Sequence, residues 1–175
     1  LELMKQTQNV GLHALMEVNQ ILPWQDGKLG AFHIGFVLGP CLNASGRLDS
    51  AQRAMELLDS KTREAAVAQA AFLKQLNDSR KEMTEEYVKI AVEMIESGPL
   101  KDDRVLVVFL PDCHESIAGI IAGRIRERYY RPTFVLTRGE EGVKGSARSI
   151  EGYHIYEEMT KCSSFFTKYG GHKMA

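Results

Sequence analysis

The sequence has few cysteines, no long apolar run and no excess of either charge. Cys41, Cys113 and Cys162 are odd in number and none lies in a Cys-x-x-Cys pair, which argues against a disulfide framework or a zinc site and predicts a reducing cytoplasm. No apolar stretch approaches the roughly 18 residues that span a bilayer. The start, Leu1-Glu2-Leu3-Met4-Lys5, lacks the basic segment and apolar core of a signal peptide. These absences predict a protein that does not enter a membrane.

Familiar catalytic signatures are also missing. There is no phosphate-loop motif, nucleophile elbow or His-Glu-x-x-His pair. The one acidic-histidine cluster is Asp112-Cys113-His114-Glu115-Ser116, whose groups lie on one short segment and are poorly placed to surround an ion. We expect this segment to cap the helix that follows it. The residues therefore predict no metal ligand and no catalytic group in this chain.

Charge is unevenly distributed along the chain. The net charge is −1, which gives no general attraction to nucleic acid. Between Arg124 and Arg148 there are seven basic residues against three acidic ones. This region is either a local cationic surface or an ordinary solvated helix face.

Apolar spacing predicts that the first part of the chain is helical. Residues 4–21 have an uneven apolar face and are expected to end at Pro23 and the Asp26-Gly27 pair. Residues 42–47 have the composition of a polar loop, and 50–58 of a short helix.

A long helix is predicted next. Residues 61–97 contain neither proline nor glycine, Asp59 or Ser60 can cap the start, and Gly98-Pro99 ends the segment. Unbroken, it would extend about 55 Å. A helix of that length cannot be buried within one small domain and is expected to connect two, so we expect it outside the α/β domain that starts near Pro99.

The pattern changes to α/β after Pro99. Residues 104–110 form a nearly continuous β-branched and apolar run, which predicts a strand covered on both faces. Residues 116–129 follow as a helix in which Gly119 and Gly123 would allow close packing on a sheet. Further strands are expected at 134–136 and 143–149, with a final helix near Tyr156. The predicted fold class is therefore α/β (α+β): a helical N-terminal region and long connector helix, then a small mixed-sheet domain with flanking helices.

Three polar segments have the chemistry of a phosphate site. Asn43–Arg47 and Lys144–Ser149 offer hydroxyl groups and guanidinium groups, and Ser146 and Arg148 share one face of a strand because they are two residues apart. Gly170-Gly171-His172 would let backbone N–H groups approach a ligand. The alternatives are a helix-capping turn, the solvent face of an edge strand and a tight turn, respectively. The candidate binding residues are Arg47, Ser146, Arg148, Gly170, Gly171 and His172.

Four segments in this order resemble one family. Leu38–Leu48 resembles the signature that follows the catalytic domain of RecJ exonucleases, and His114–Arg124 is similar to the family's His-x-x-x-x-Gly-Ile-x-Ala-x-Arg helix. Lys144–Ser149 and Lys168–Ala175 resemble motifs of the substrate-binding domain that accompanies the Asp-His-His (DHH) phosphoesterase domain. The resemblance covers nearly the whole chain, with the long helix matched by position.

The resemblance implies the C-terminal part of an Mn²⁺- or Mg²⁺-dependent enzyme that removes nucleotides from the five-prime end of single-stranded DNA, in repair and recombination. Arg47, Ser146 and Arg148 match residues that approach the terminal phosphate, and Gly170 to His172 match a motif facing the metal ions. The metals would be bound by a missing domain, so this chain would be an inactive piece. The implied domains are 1–60, a helical tail of the catalytic domain; 61–98, the connector helix; and 99–175, a truncated DHH-associated domain.

Two departures from the family and two alternative functions remain. Cys41 stands where arginine is expected in many relatives, and the glycine-rich motif is cut at Ala175. One alternative is a DHH-family phosphodiesterase acting on short oligonucleotides or cyclic dinucleotides. The other is a non-catalytic nucleic-acid-binding module. The expected partner is single-stranded DNA, other repair proteins are possible, and the expected location is the cytoplasm.

Overall fold

The computed structural model describes residues 1–21, 29–140 and 142–175, so the predicted helix stop at Pro23 and Asp26-Gly27 lies outside the described residues. The chain divides into two compact units, Leu1–Glu82 and Met83–Ala175. The predicted class is confirmed, because helices precede a small mixed sheet. The helices are α1 (Glu2–Lys5), α2 (Val10–Val18), α3 (Ala31–His33), α4 (Gly39–Leu48), α5 (Gln52–Leu58), α6 (Arg63–Ser97), α7 (Glu115–Tyr129) and α8 (Ile155–Lys161), and the strands are β1 (Leu106–Phe109), β2 (Thr133–Gly139) and β3 (Gly142–Arg148).

The first predicted helix is interrupted, contrary to the expectation for residues 4–21. Asn9 begins α2 as its N-cap: its Oδ1 accepts from the Leu12 N–H at 2.9 Å, and its Nδ2 donates to the Leu58 carbonyl at 2.8 Å. A side chain that satisfies the backbone at a helix start favours a new helix over continuation of the previous one. The break at Asn9 therefore has a local cause, the cap on the Leu12 N–H, and a tertiary cause, the bond to the Leu58 carbonyl.

Residues 42–47 are helical, so the predicted polar loop is wrong. Residues 31–48 form one continuous helical segment whose middle, Ile34–Leu38, is a π-helical turn. Pro40 explains the widened turn, because proline has no N–H to donate and its ring clashes with the carbonyl four residues earlier. The Gly39 N–H instead donates to the Ile34 carbonyl, and a Cβ on Gly39 would lie 2.9 Å from that oxygen.

Burial decides the helical state of residues 42–47. Leu38, Cys41, Ala44 and Ser45 are all buried on one side of the helical segment. The Ser45 hydroxyl donates to the Leu42 carbonyl at 2.9 Å, which satisfies the buried oxygen. Packing of this face outweighs the low helix propensity of asparagine, serine and glycine.

The predicted long helix is continuous as α6 from Arg63 to Ser97. Its start differs from the expectation of Asp59 or Ser60, because the Thr62 hydroxyl accepts from the Ala65 N–H at 3.3 Å. The division between the two units falls within this helix. Its first half supplies Ala66, Ala70 and Leu73 to the core of one unit, and its second half supplies Ala91 and Ile95 to the core of the other. The helix thus contributes to both cores, whereas the sequence analysis placed it outside the α/β domain.

The sheet of the second unit has the order β1-β2-β3, with β1 and β2 parallel and β2 and β3 antiparallel. Helix α7 contributes a row of fully buried residues, because Ile117, Ile121 and Ile125 recur at helical spacing. The core of this unit also contains Leu106, Val108 and Val135 from the sheet.

The expectation that the first strand is covered on both faces is wrong. In β1, Leu106 and Val108 are buried, whereas Val107 and Phe109 remain 46% and 42% exposed. The burial alternates because one face of this edge strand joins a core to which helices α6 and α7 also contribute. An uninterrupted apolar run therefore does not by itself establish two covered faces.

Within the described ranges, no helix combines the length and apolar character that crossing a membrane requires.

Candidate phosphate-binding site

Ser146 and Arg148 lie together on the face of β3 that meets helix α7. A Cβ built on Gly119 of α7 would lie 3.0 Å from Nη2 of Arg148 and 3.4 Å from Oγ of Ser146. The other terminal nitrogen of Arg148, Nη1, donates to the Ala147 carbonyl at 2.7 Å. Both side chains are partly exposed. The strand therefore presents a hydroxyl and a guanidinium side by side, as their spacing predicted.

The two glycines of α7 differ in their surroundings. The Cβ position of Gly119 contacts Arg148 and Ser146, but that of Gly123 has no neighbour within 4 Å. The predicted close approach to the sheet therefore applies to Gly119 and is wrong for Gly123. The bare Cα of Gly119 provides the space that the arginine fork occupies.

A cleft of about 230 Å³ lies at the start of α7. On one side of it, Nζ of Lys144 contacts Oε2 of Glu115 at 2.8 Å, and this hydrogen-bonded cation lowers the pKa of the Glu115 carboxyl. Lys144 alternates with Ser146 and Arg148 on β3, so the three polar side chains share one face. The residues that line the cleft are Glu115, Ser116, Ala118, Thr137, Lys144 and Gly145.

The acidic-histidine segment caps α7, as expected. His114 is the N-cap, and its Nδ1 accepts from the Ser116 N–H at 3.3 Å and lies 2.7 Å from the Ser116 hydroxyl. Glu115 is engaged with Lys144. In the part of the chain that the structure describes, no group of three or more histidine, cysteine or acidic residues is arranged to hold a metal ion. The donor set present here does not fit the divalent ions implied by the resemblance.

Gly170-Gly171-His172 lies next to the end of β3. The Ser149 N–H donates to the Met174 carbonyl at 2.9 Å, which ties the terminal segment to the residue after Arg148. A tight turn closes there, with the His172 N–H donating to the Ala175 carbonyl at 2.7 Å, and a Cβ on Gly171 would collide with that carbonyl. The turn accounts for Gly171, while Gly170 and His172 remain exposed.

Arg47 belongs to the other compact unit. It lies in the last turn of α4 and is exposed. Cys41, by contrast, is fully buried, and its sulfur lies 3.8 Å from the Asn19 side chain. Burial raises the pKa of the Cys41 thiol. Cys41 therefore has a packing role in the core, in addition to replacing the arginine expected at this position.

Two residues beside the candidate site, Gly119 and Lys144, were not among the predicted binding residues. Gly119 was assigned to helix–sheet packing, although its neighbours are the two candidate phosphate-binding side chains. Lys144 was treated as part of a motif without a role. Its position two residues before Ser146 was the signal that could have placed it on the same face.

The geometry can be compared with known proteins. Residues 102–175 match the family of the DHHA1 domain. The single-stranded-DNA-specific exonuclease RecJ of Bacillus subtilis is 36% identical over 180 aligned positions, which cover 100% of this chain and 22% of that protein. This chain carries a DHHA1 domain and is related to RecJ over its whole length. RecJ of Escherichia coli is 35% identical, with 94% of this chain and 30% of that protein covered.

Solved structures of RecJ are also similar to this chain. The crystal structure of RecJ in complex with Mg²⁺ from Thermus thermophilus matches with a TM-score of 0.82 and 28% identity, covering 98% of this chain and 26% of that one. A Mn²⁺ complex of the same RecJ matches with a TM-score of 0.80 and 27% identity, covering 98% of this chain and 24% of that one. The chain thus spans about a quarter of the length of these RecJ proteins.

Proposed function

We propose that this chain is the substrate-binding part of a RecJ-like exonuclease that removes nucleotides from the five-prime end of single-stranded DNA, in repair and recombination. The observation that carries the proposal is the juxtaposition of Arg148, Ser146 and Gly119, which leaves a guanidinium and a hydroxyl on one accessible face. The relationship to RecJ proteins supports the choice of substrate.

Each group has a role that its chemistry suits. Arg148 would pair with two oxygens of a terminal phosphate, because a guanidinium fork matches phosphate geometry. Ser146 would donate one further hydrogen bond. Gly170 and His172 are exposed in the segment tied to the end of β3 and would add backbone N–H and imidazole donors for the substrate. Arg47 is proposed separately as a phosphate-binding residue of the other unit.

Hydrolysis itself would be performed elsewhere. The RecJ crystal structures contain Mg²⁺ or Mn²⁺, whereas His114 and Glu115 of this chain are engaged in a helix cap and an ion pair. We assign the metal ions to a DHH domain in the longer protein. In this assignment residues 1–60 are the tail of that domain, 61–98 connect it, and 99–175 bind substrate.

Arg148→Ala in the full-length protein tests the phosphate site. Loss of a guanidinium–phosphate pair should weaken binding of five-prime-phosphorylated strands by about 2–4 kcal/mol, roughly 30- to 700-fold. Arg47→Ala should act similarly, and Ser146→Ala more mildly. The measurement is the ratio of affinities for phosphorylated and unphosphorylated strands. Equal losses for both strands would show that Arg148 contacts the DNA elsewhere or only supports the fold.

The substrate class needs its own comparison. The full-length protein should shorten long single strands stepwise in the presence of Mn²⁺ and cleave dinucleotides or cyclic dinucleotides more slowly. The reverse preference would favour a DHH-family phosphodiesterase, and binding without cleavage would favour a nucleic-acid-binding module.

The buried, unpaired thiols of Cys41 and Cys113 fit our proposal of a reducing cytoplasm.

A further inference from the structure

A charged pair lies at one end of the strand face that carries Ser146 and Arg148. Nζ of Lys144 contacts Oε2 of Glu115 at 2.8 Å. A Cβ on Gly139 would lie 3.0 Å from Cγ and Cδ of Lys144, so the lysine stem lies against this glycine and its ammonium group reaches the first turn of α7. The pair therefore has a defined position, beside Ser146 on the same face of β3.

The order of groups along β3 gives the candidate phosphate site two distinct ends. Lys144, Ser146 and Arg148 follow one another in two-residue steps, each roughly 6–7 Å along the strand. The segment that contains Gly170 and His172 is tied to the residue after Arg148, whereas the cleft of about 230 Å³ is lined by Lys144 at the other end. In the proposed function the DNA contacts Gly170 and His172, so the cleft lies on the outer side of the terminal phosphate, where no nucleotide follows.

The cleft has room for more than one phosphate group, but its charge is balanced. Its volume is far above the roughly 10–15 Å³ that a single water needs, and its lining includes the small side chains of Ser116 and Ala118. The start of α7 offers one N–H group fewer to an anion, since the Ser116 N–H already donates to Nδ1 of His114. A further phosphate group would meet the Lys144 ammonium only beside the Glu115 carboxylate, and like charges repel.

We infer that Glu115 is a specificity-determining residue that makes the site select a five-prime monophosphate over a five-prime triphosphate. The inference rests on the proposed function and concerns the same phosphate site. Arg148 and Ser146 would hold the first phosphate of either end, whereas the second and third would lie beside the Glu115 carboxylate. Because the side chains of Lys144 and Glu115 are 52% and 48% exposed, water and salt screen the repulsion, and the discrimination is moderate.

The test uses the full-length protein without metal and three oligothymidylate strands that end in a five-prime hydroxyl, monophosphate or triphosphate. All three are labelled at the three-prime end, and the quantity compared is the ratio of triphosphate affinity to monophosphate affinity. This ratio should be below one in the wild-type protein. Glu115→Gln should raise it by about 3- to 10-fold, because the repelling charge is removed. Lys144→Gln should lower it, because the carboxylate is then uncompensated. Glu127→Gln, which removes an exposed carboxylate further along α7, should leave the ratio unchanged.

The opposite signs expected for the two partners separate an effect of charge from an effect of structure. Both substitutions remove the same 2.8 Å contact, so an effect through the packing of α7 on β3 would shift the ratio in one direction. A shift in the same direction for both variants would therefore overturn the inference, as would a wild-type ratio above one.

Two further results distinguish this inference from the proposed function. If the wild-type protein binds the hydroxyl and monophosphate ends equally, the proposed phosphate site fails. If it prefers the monophosphate end but the ratio is the same in wild type and Glu115→Gln, only the role of Glu115 is rejected.

Discussion

Gly119→Ala would separate phosphate binding from stability, with Gly123→Ala as its matched control on the same helix. Both changes replace a helix-interior glycine by alanine, which should stabilise the fold by roughly 0.5–1 kcal/mol because alanine has the higher helix propensity. The added methyl group at position 119 would lie 3.0 Å from Nη2 of Arg148, whereas the one at position 123 has no neighbour within 4 Å.

The contact at position 119 should move the guanidinium. A separation of 3.0 Å is shorter than the optimal distance of roughly 3.5–4.0 Å for non-bonded heavy atoms. The end of the Arg148 side chain is its most flexible part, so a shift of a few tenths of an ångström relieves the contact at little cost to folding. Misalignment of one charge-assisted hydrogen bond should then cost about 1.5 kcal/mol of phosphate binding, roughly tenfold.

Thermal melting and fluorescence anisotropy measure the two effects independently in the full-length protein. We expect both variants to melt at or above the wild-type temperature, and only Gly119→Ala to lose preference for a five-prime phosphate. The reasoning is refuted if Gly119→Ala keeps the wild-type preference, because Arg148 then does not bind phosphate beside α7. Unfolding of Gly119→Ala would show that the contact cannot be relieved by the arginine.

Three further predictions follow from the structure. At pH 8 a thiol reagent should modify exposed Cys162 but not Cys113, since burial leaves Cys113 inaccessible and raises its pKa to about 11. Mass spectrometry of the folded chain measures which cysteines are labelled. Labelling of both cysteines would contradict the prediction. Asn9→Ala should destabilise the fold by about 1–2 kcal/mol, because it removes both the cap on α2 and the bond to the Leu58 carbonyl; denaturant titration beside Asn9→Asp, which retains the cap alone, measures the two parts. The isolated chain should release no nucleotides from labelled single-stranded DNA with Mn²⁺, while the full-length protein does; metal-dependent release by the chain alone would place a catalytic site within it.

Some features depended on local signals and could be predicted. The long helix follows from the lack of glycine and proline between residues 61 and 97, and the cap at His114 from polar residues directly before an apolar helix. The common face of Ser146 and Arg148 follows from the two-residue period of a strand. Each of these rests on neighbours in the sequence.

The remaining features required contacts that no local pattern contains. Residues 43–47 have turn composition, but burial of Ala44 and Ser45 makes them helical. Gly119 and Gly123 are equivalent in sequence spacing, and the positions of Arg148 and Ser146 on another element distinguish them.

The sequence by itself therefore determined the long helix and the order of strands and helices after Pro99, and it indicated the candidate phosphate-binding groups, because both depend on short-range periodicity and side-chain chemistry. Tertiary structure decided which face of each element is covered, because burial depends on elements distant in the chain. The tertiary structure places the guanidinium of Arg148 against Gly119, buries Cys41 in the core, and leaves Phe32 and Phe36 exposed to solvent.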